Sequence, residues 1–293
     1  MFLIIGVVVV FGSILLGFTM DGGKIGALIQ INELIILGGA AFGSLLIANP
    51  LSVVINLIKT VMTLLKPNPF TKDCYLELIK MLYDLFLMAR KEGLVALDQH
   101  VERPTESSFF EKYPHFFTNH HALMFLADTM KVIVTGSTAN YDLMEMMDID
   151  LETTQDEAMH PSHIMAKLGD SMPGFGIVAA VLGVVVTMGA IGGPPQEIGA
   201  KVGAALVGTF LGILLAYGLF TPISSALETR AKAEGQYLAS IKCALLSFAR
   251  GDAPLTAVEF ARRNIDPAVR PSFTEMEQTC KNIGAPAESR QAA

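Results

Sequence analysis

Charge is missing from this chain in four long blocks, and that absence constrains its fold more than any single motif does. Residues 2–20, 34–58, 171–196 and 202–227 contain no Asp, Glu, Lys or Arg. An α-helix rises 1.5 Å per residue, so roughly 20 apolar residues cross a hydrocarbon core of about 30 Å. All four blocks reach or approach that length. Composition agrees: 52% of the 293 residues are hydrophobic and 17% charged, where soluble domains carry charge on about a quarter. Mean hydropathy is +0.48. The first block lacks the basic n-region and small-residue cleavage site of a signal peptide, so it reads as a span. The expected fold class is all-α, a polytopic membrane protein with four transmembrane helices and a helical cytoplasmic domain.

The order along the chain is a pair of spans, a polar insert, a second pair and a polar tail. The expected boundaries are 1–58 for the first two transmembrane helices, 59–167 for the cytoplasmic domain, 168–227 for the third and fourth, and 228–293 for the cytoplasmic C-terminal helix and tail. Residues 59–167 hold ten Lys/Arg and 228–293 hold nine, leaving only Lys24 and Lys201 for the short links within the pairs. Positive charge favours the cytoplasmic side, so both polar segments and both termini are expected there. The net charge of −7 speaks against a nucleic-acid-binding surface. Cys74, Cys243 and Cys280 are too scattered to suggest a disulfide framework or a zinc site.

Within the insert, Leu76, Ile79, Leu82, Phe86 and Ala89 recur at helical spacing over 72–97, with Gly93 as an end or bend. Pro104 and Pro114 bracket a short element over 106–113. Further helices are expected over 120–135 and, acidic, over 140–158. In the tail, one helix continues from the fourth span through Leu238, Ile241, Leu245 and Phe248. The chain then passes Pro254, Pro267 and Pro271, and the last dozen residues are expected to be disordered. No strand alternation or repeat stands out. Phosphate-loop, zinc-protease and nucleophile-elbow motifs are absent, so neither an enzyme nor a cofactor is expected. His120–His121 and His160-x-x-His163 lack the carboxylate or cysteine that would complete a metal site, and read as solvated.

The third span places Pro173, Gly176, Ala180, Gly183 and Thr187 on one face, and the fourth does the same with Ala205, Thr209, Gly212 and Ala216. Small faces of this kind either pack helix against helix or line a space for another helix. No ionisable residue falls in the interior of a span. Asp170 stands at the mouth of the third, and Glu33 at the outer edge of the second. Bilayer ion relays use such groups despite an insertion cost of about 2.5–3.5 kcal/mol each. The chain is therefore expected to need a carboxylate from elsewhere to move ions. Pro173 and Pro222 mark the ends of the last two spans, where a bend could couple the membrane to the polar mass.

The stretch Gly169-Asp-Ser-Met-Pro-Gly-Phe-Gly-Ile-Val-Ala-Ala-Val-Leu-Gly-Val-Val closely resembles the third span of the MotA family of flagellar-motor stator proteins. Val207-Gly-Thr-Phe-Leu-Gly-Ile-Leu-Leu-Ala-Tyr-Gly, followed by Pro222, is similar to its fourth. Ala257-Val-Glu-Phe-Ala-Arg and Arg270-Pro-Ser-Phe match as well, and the likeness covers essentially the whole chain. It implies a homo-oligomer, a pentamer around a dimer of single-span MotB-like subunits that supply the ion-binding aspartate. It also implies a peptidoglycan anchor on that partner, a push on FliG in the rotor, and a place in the bacterial inner membrane.

By position the resemblance makes Pro173 and Pro222 the conformational hinge, and Gly176, Ala180, Thr209 and Tyr217 part of the ion pathway. Arg90 and Asp98 become rotor contacts, Asp98 standing where the family commonly has Glu. Sodium-driven relatives carry Thr seven residues after the matching proline. Here that residue is Ala180, which offers no oxygen, so protons are the expected ion. The alternatives are a TolQ/ExbB-like energiser of an envelope process, against which the first pair of spans counts, and a membrane scaffold that conducts nothing.

Overall fold

The structure, a computed structural model, describes residues 2–136, 138–189 and 191–281. The expectation for the last dozen residues falls outside that range. In chain order the helices are α1 (Phe2–Met20), α2 (Ile25–Leu28), α3 (Ile31–Ala48), α4 (Leu51–Thr63), α5 (Lys72–Glu92), α6 (Val95–Glu102), α7 (Pro114–Phe117) and α8 (His120–Thr135). They continue with α9 (Asn140–Met188), α10 (Pro195–Leu215), α11 (Thr221–Ala249), α12 (Pro254–Asn264) and α13 (Phe273–Lys281). A π-helical turn, Ala216–Phe220, joins α10 to α11, and no strand is found among the described residues. The chain divides into two compact units, Met1–Pro67 with Ala158–Arg230 and Asn68–Glu157 with Ala231–Ala293.

The first unit holds the membrane part. Four helical stretches are long and apolar enough to cross a bilayer: Leu3–Met20, Ile25–Ala48, one within Asn140–Met188 and one within Pro195–Ala249. The chain is thus an all-α membrane protein with four spans and a separate helical polar unit. The second charge-free block is not one helix. Asn49 closes α3 by bonding Leu45 O through both its amide (3.0 Å) and its side chain (3.1 Å), and Pro50 then starts α4. Proline has no N–H to continue the α3 ladder, which fixes the break. α4 buries Val54 and Leu57, and Arg230 caps its end by donating to Thr63 O at 2.6 Å.

Proline does not break α9, which runs unbroken for 49 residues through Pro161 and Pro173. The sequence reading had treated the acidic helix and the third span as separate. Each proline removes one backbone bond and displaces one carbonyl, a loss the packed flanks absorb. Beside Pro161, Ser162 and Ser224 form a reciprocal clasp: each hydroxyl donates to the other residue's carbonyl at 2.9 Å, and both are buried. The clasp ties α9 to the start of α11.

The second unit is built around α5, whose Leu78, Ile79, Leu82, Leu85 and Phe86 are fully buried. Thr71 caps its start, and Gly93, at φ 87, ends it. Phe86 stacks on Phe248 of α11 with centroids 4.4 Å apart. The tail contains two helices, α12 and α13, that the prolines there had obscured. Pro254 occupies the first turn of α12, where a missing N–H costs nothing and the fixed φ suits the helix. Ser272 and Glu275 make a capping box for α13: the Ser272 amide donates to Glu275 at 2.7 Å and the Glu275 amide to the Ser272 hydroxyl at 3.2 Å.

Candidate functional site

The third and fourth spans meet along a seam of small residues. A Cβ on Gly176 would lie 2.8 Å from Gly208 O and 3.2 Å from the Cα of Thr209, and one on Gly212 would lie 2.7 Å from Met172 O. Further along, a Cβ on Gly183 would lie 2.6 Å from that of Ala205; at the other end, one on Gly169 would lie 3.1 Å from Thr221 Oγ1. The partners run antiparallel, from Gly169 beside Thr221 to Gly183 beside Ala205. Small residues here let two backbones touch, the standard way to bind helices where lipid supplies no hydrophobic drive.

The expected ion-pathway residues divide between this seam and its margin. Gly176 is buried in the α9–α10 contact, and Thr209 donates its hydroxyl to Gly176 O at 3.4 Å, so these two are brought together. Ala180 is half-buried one turn further along α9, while Tyr217 lies in the π turn and is exposed. Ile177, Val181, Leu206 and Ile213 are exposed beside them. An apolar face of α9 and α10, with the small Ala180 and the hydroxyl of Thr209 at its margin, therefore stays uncovered in the single chain.

The two prolines have different settings. Pro173 is half-buried inside α9, one turn beyond Gly169. Pro222 is exposed at the second position of α11, directly after the π turn. A proline ring clashes with the carbonyl four residues earlier, here that of Gly218, and widening the preceding turn relieves the clash. Arg90, in the last turn of α5, and Asp98, in α6, flank the Gly93 bend. Both are exposed, and neither forms an ion pair among the described residues.

One feature of the spans corrects the sequence reading. Glu33 does lie in the first turn of α3, yet its side chain is not at an outer edge. It is 6% exposed and enters the seam between Gly183 and Gly208, where its Oε1 is 3.6 Å from the point a Gly183 Cβ would take. A Cβ on Gly208 would collide with Oε2, and that oxygen has no hydrogen-bond partner. The spans therefore do contain an internal carboxyl. Its spacing was a usable signal: Glu33, Leu37 and Ala41, all buried, follow one another at four-residue steps. His160 and His163, read as solvated, are exposed and line a cavity of about 360 Å³ with Lys167, Ser44 and Asn49. Among the described residues, no group of three metal-ligating side chains occurs.

Comparison with known proteins places this seam. The model of the motility protein A N-terminal region matches residues 4–93, and that of the MotA/TolQ/ExbB proton channel family matches residues 118–240. Motility protein A of Salmonella typhimurium is 37% identical over 286 residues, covering 98% of this chain and 97% of that protein. The chain belongs to the motility protein A family. The MotA fold extends to solved structures. The C. jejuni MotAB structure superposes with a TM-score of 0.73 at 22% identity, over 92% of this chain and 98% of that one. The flagellar MotAB stator complex from Bacillus subtilis gives 0.72 at 23%, over 94% and 98%. The glycine seam lies within the region of the proton channel family match.

Proposed function

We propose that this chain is the stator subunit of a proton-driven flagellar motor, assembled with a single-span MotB-like partner. The observation that carries the reading is the uncovered α9–α10 face. Spans whose interior-facing edges are Gly, Ala and Thr pack closely on one side and leave an apolar margin for a further helix on the other. The partner's aspartate supplies the ion-binding group on that margin, and the assembly follows the MotAB complexes to which the fold is similar. Five copies around a partner dimer form the ring.

The ion is the proton. Among the expected pathway residues this chain offers few oxygens beside the partner helix: the Thr209 hydroxyl, already engaged with Gly176 O, and the Tyr217 phenol. Sodium needs several oxygens to replace its water shell, whereas a proton needs a carboxylate and water. The unit built on α5 faces the cytoplasm of the inner membrane with both termini, in keeping with its share of Lys and Arg. There Arg90 and Asp98 push on FliG, and Pro173 and Pro222 transmit the movement.

Expression with the partner in a flagellated strain made non-motile by loss of its own stator tests the reading. Swimming should be restored, should survive removal of sodium, and should stop when a proton ionophore collapses the gradient. Speed that follows external sodium sinks the proton assignment, and failure to restore swimming with a well-inserted pair sinks the stator assignment.

A further inference from the structure

We propose that Glu33 is a proton-binding site of this chain: a carboxyl that holds a proton within the seam of the last two spans and passes it to the partner's carboxylate. The proposal rests on the proton-driven reading above and adds a station to it on this chain. Its ground is a cavity shaped for a carboxyl. Ala179 and Gly183 of α9 and Ala205 and Gly208 of α10 form a notch, and any side chain on Gly208 would occupy the place of Oε2. The carboxyl filling that notch is 94% buried and leaves Oε2 unbonded.

Packing does not account for a glutamate there, because an apolar side chain of similar volume would fill the notch without removing a polar group from water. A carboxylate buried without a partner costs several kcal/mol and is relieved by binding a proton. Nothing nearby offsets the charge. α1 carries no charged residue over 2–20, α9 none over 171–188 and α10 none over 202–215. Asp21 and Lys24 lie in the link before α2, and Glu197 and Lys201 pair with each other at 3.0 Å.

The location also suits transfer. Gln30, one turn before Glu33, and Val207, next to Gly208, line an apolar cavity of about 630 Å³ between α1, α2 and α10. The cavity comes within a turn of Glu33 along the chain. In sequence, Gly208 is followed by Thr209 and Ala179 by Ala180, the two residues at the margin of the uncovered face. The step balances simply: the Glu33 O–H bond breaks as the partner's carboxylate gains the proton, and the Glu33 carboxylate is then reprotonated by a hydronium ion from the proton-rich side, which leaves water.

The test uses the complete chain with its partner, reconstituted in vesicles containing a pH-sensitive dye, and compares wild type with Glu33→Gln and Glu33→Asp. Glutamine keeps the shape and removes the titratable group. The expected result is an assembled Glu33→Gln complex whose proton flux falls by about a hundredfold. Aspartate should restore part of the flux. An infrared difference spectrum should show the carbonyl stretch of a protonated carboxylic acid in wild type and not in Glu33→Gln. Flux in Glu33→Gln equal to wild type, or an unchanged infrared band, overturns this inference and leaves the stator reading standing. A wild-type complex that conducts no protons overturns both.

Discussion

Gly212→Ala and Gly208→Ala add the same methyl group to the same helix four residues apart, and the seam predicts different outcomes. At Gly212 the new Cβ would meet backbone on all sides: Met172 O at 2.7 Å, Gly176 Cα at 3.0 Å and Gly176 N at 3.2 Å. Backbone cannot swing aside, so α9 and α10 must part by about 0.7 Å to bring the closest approach to ordinary contact near 3.4 Å. A gap of that size forfeits a quarter to a half of each neighbouring dispersion contact, and overpacking of this kind costs about 1–3 kcal/mol. At Gly208 the principal obstacle is the Glu33 carboxylate, the end of a rotatable side chain, with Ala179 Cβ second at 2.9 Å. Glu33→Ala should therefore relieve much of the Gly208→Ala defect and none of the Gly212→Ala defect. Thermal unfolding of the purified complex, followed by circular dichroism for the single and double variants, reads this out. Equal rescue of both glycine variants by Glu33→Ala, or of neither, would refute the placement of Glu33 in the seam.

Pro173→Ala and Pro222→Ala return a missing backbone donor to their helices, so insertion and melting temperature should hold or rise while torque is lost; normal swimming would remove the hinge role. Arg90→Glu and Asp98→Lys should weaken motility without affecting assembly, with partial recovery when an opposing rotor charge is reversed; no recovery with any rotor charge means that the two are only solvated. Ser224→Ala leaves the buried Ser162 carbonyl and hydroxyl with one partner fewer and should cost about 1–3 kcal/mol, measured as a fall in unfolding midpoint. Glu275 is held down to about 2 by its bond to Lys72 at 2.6 Å and by the Ser272 amide and hydroxyl. Because the folded value lies below the ordinary 4.5, its stabilising effect is present above about 4.5 and fades as pH falls towards 2. Proteolysis of α13 should rise across that window, and high salt should blunt the effect of the exposed pair.

The four spans were legible because lipid demands long charge-free helices, and four stretches of 18 residues or more satisfy it. The helix over 120–135 and the end of α5 at Gly93 were legible from periodicity and a single glycine. Proline misled in both directions. Asn49–Pro50 splits a block that hydropathy reads as continuous, whereas Pro161 and Pro173 sit inside one helix. Near Pro254 and Ser272 the breaker is a starter, a distinction that depends on whether the proline falls in the first turn. Glu33 was visible but misplaced, because backbone position along a span does not say how deep a side chain reaches. That depth is set by the two glycines opposite, a relation between α3, α9 and α10 that no single stretch of sequence contains.

Energy scale ties these features together. One charge crossing 100 mV releases about 2.3 kcal/mol, which is about the size of one overpacked contact or one buried hydrogen bond left unmade. A single ion therefore cannot drive the wholesale repacking of a span bundle. It can shift a junction that is already short of backbone bonds, and the turn before Pro222 is such a place. On one side of it the Gly176–Gly212 contact locks α9 to α10, and on the other the Ser162–Ser224 clasp locks α9 to α11. Between the two locks lie the π turn Ala216–Phe220 and, on α9, Pro173, the two places where the proposed movement should concentrate. Tightening either lock should leave assembly intact and slow rotation, whereas loosening the clasp should let ions pass without torque. Proton flux persisting in a Ser224→Ala complex that no longer turns the motor is the result this reasoning requires. Flux and torque falling in proportion would show that the clasp is simple scaffolding.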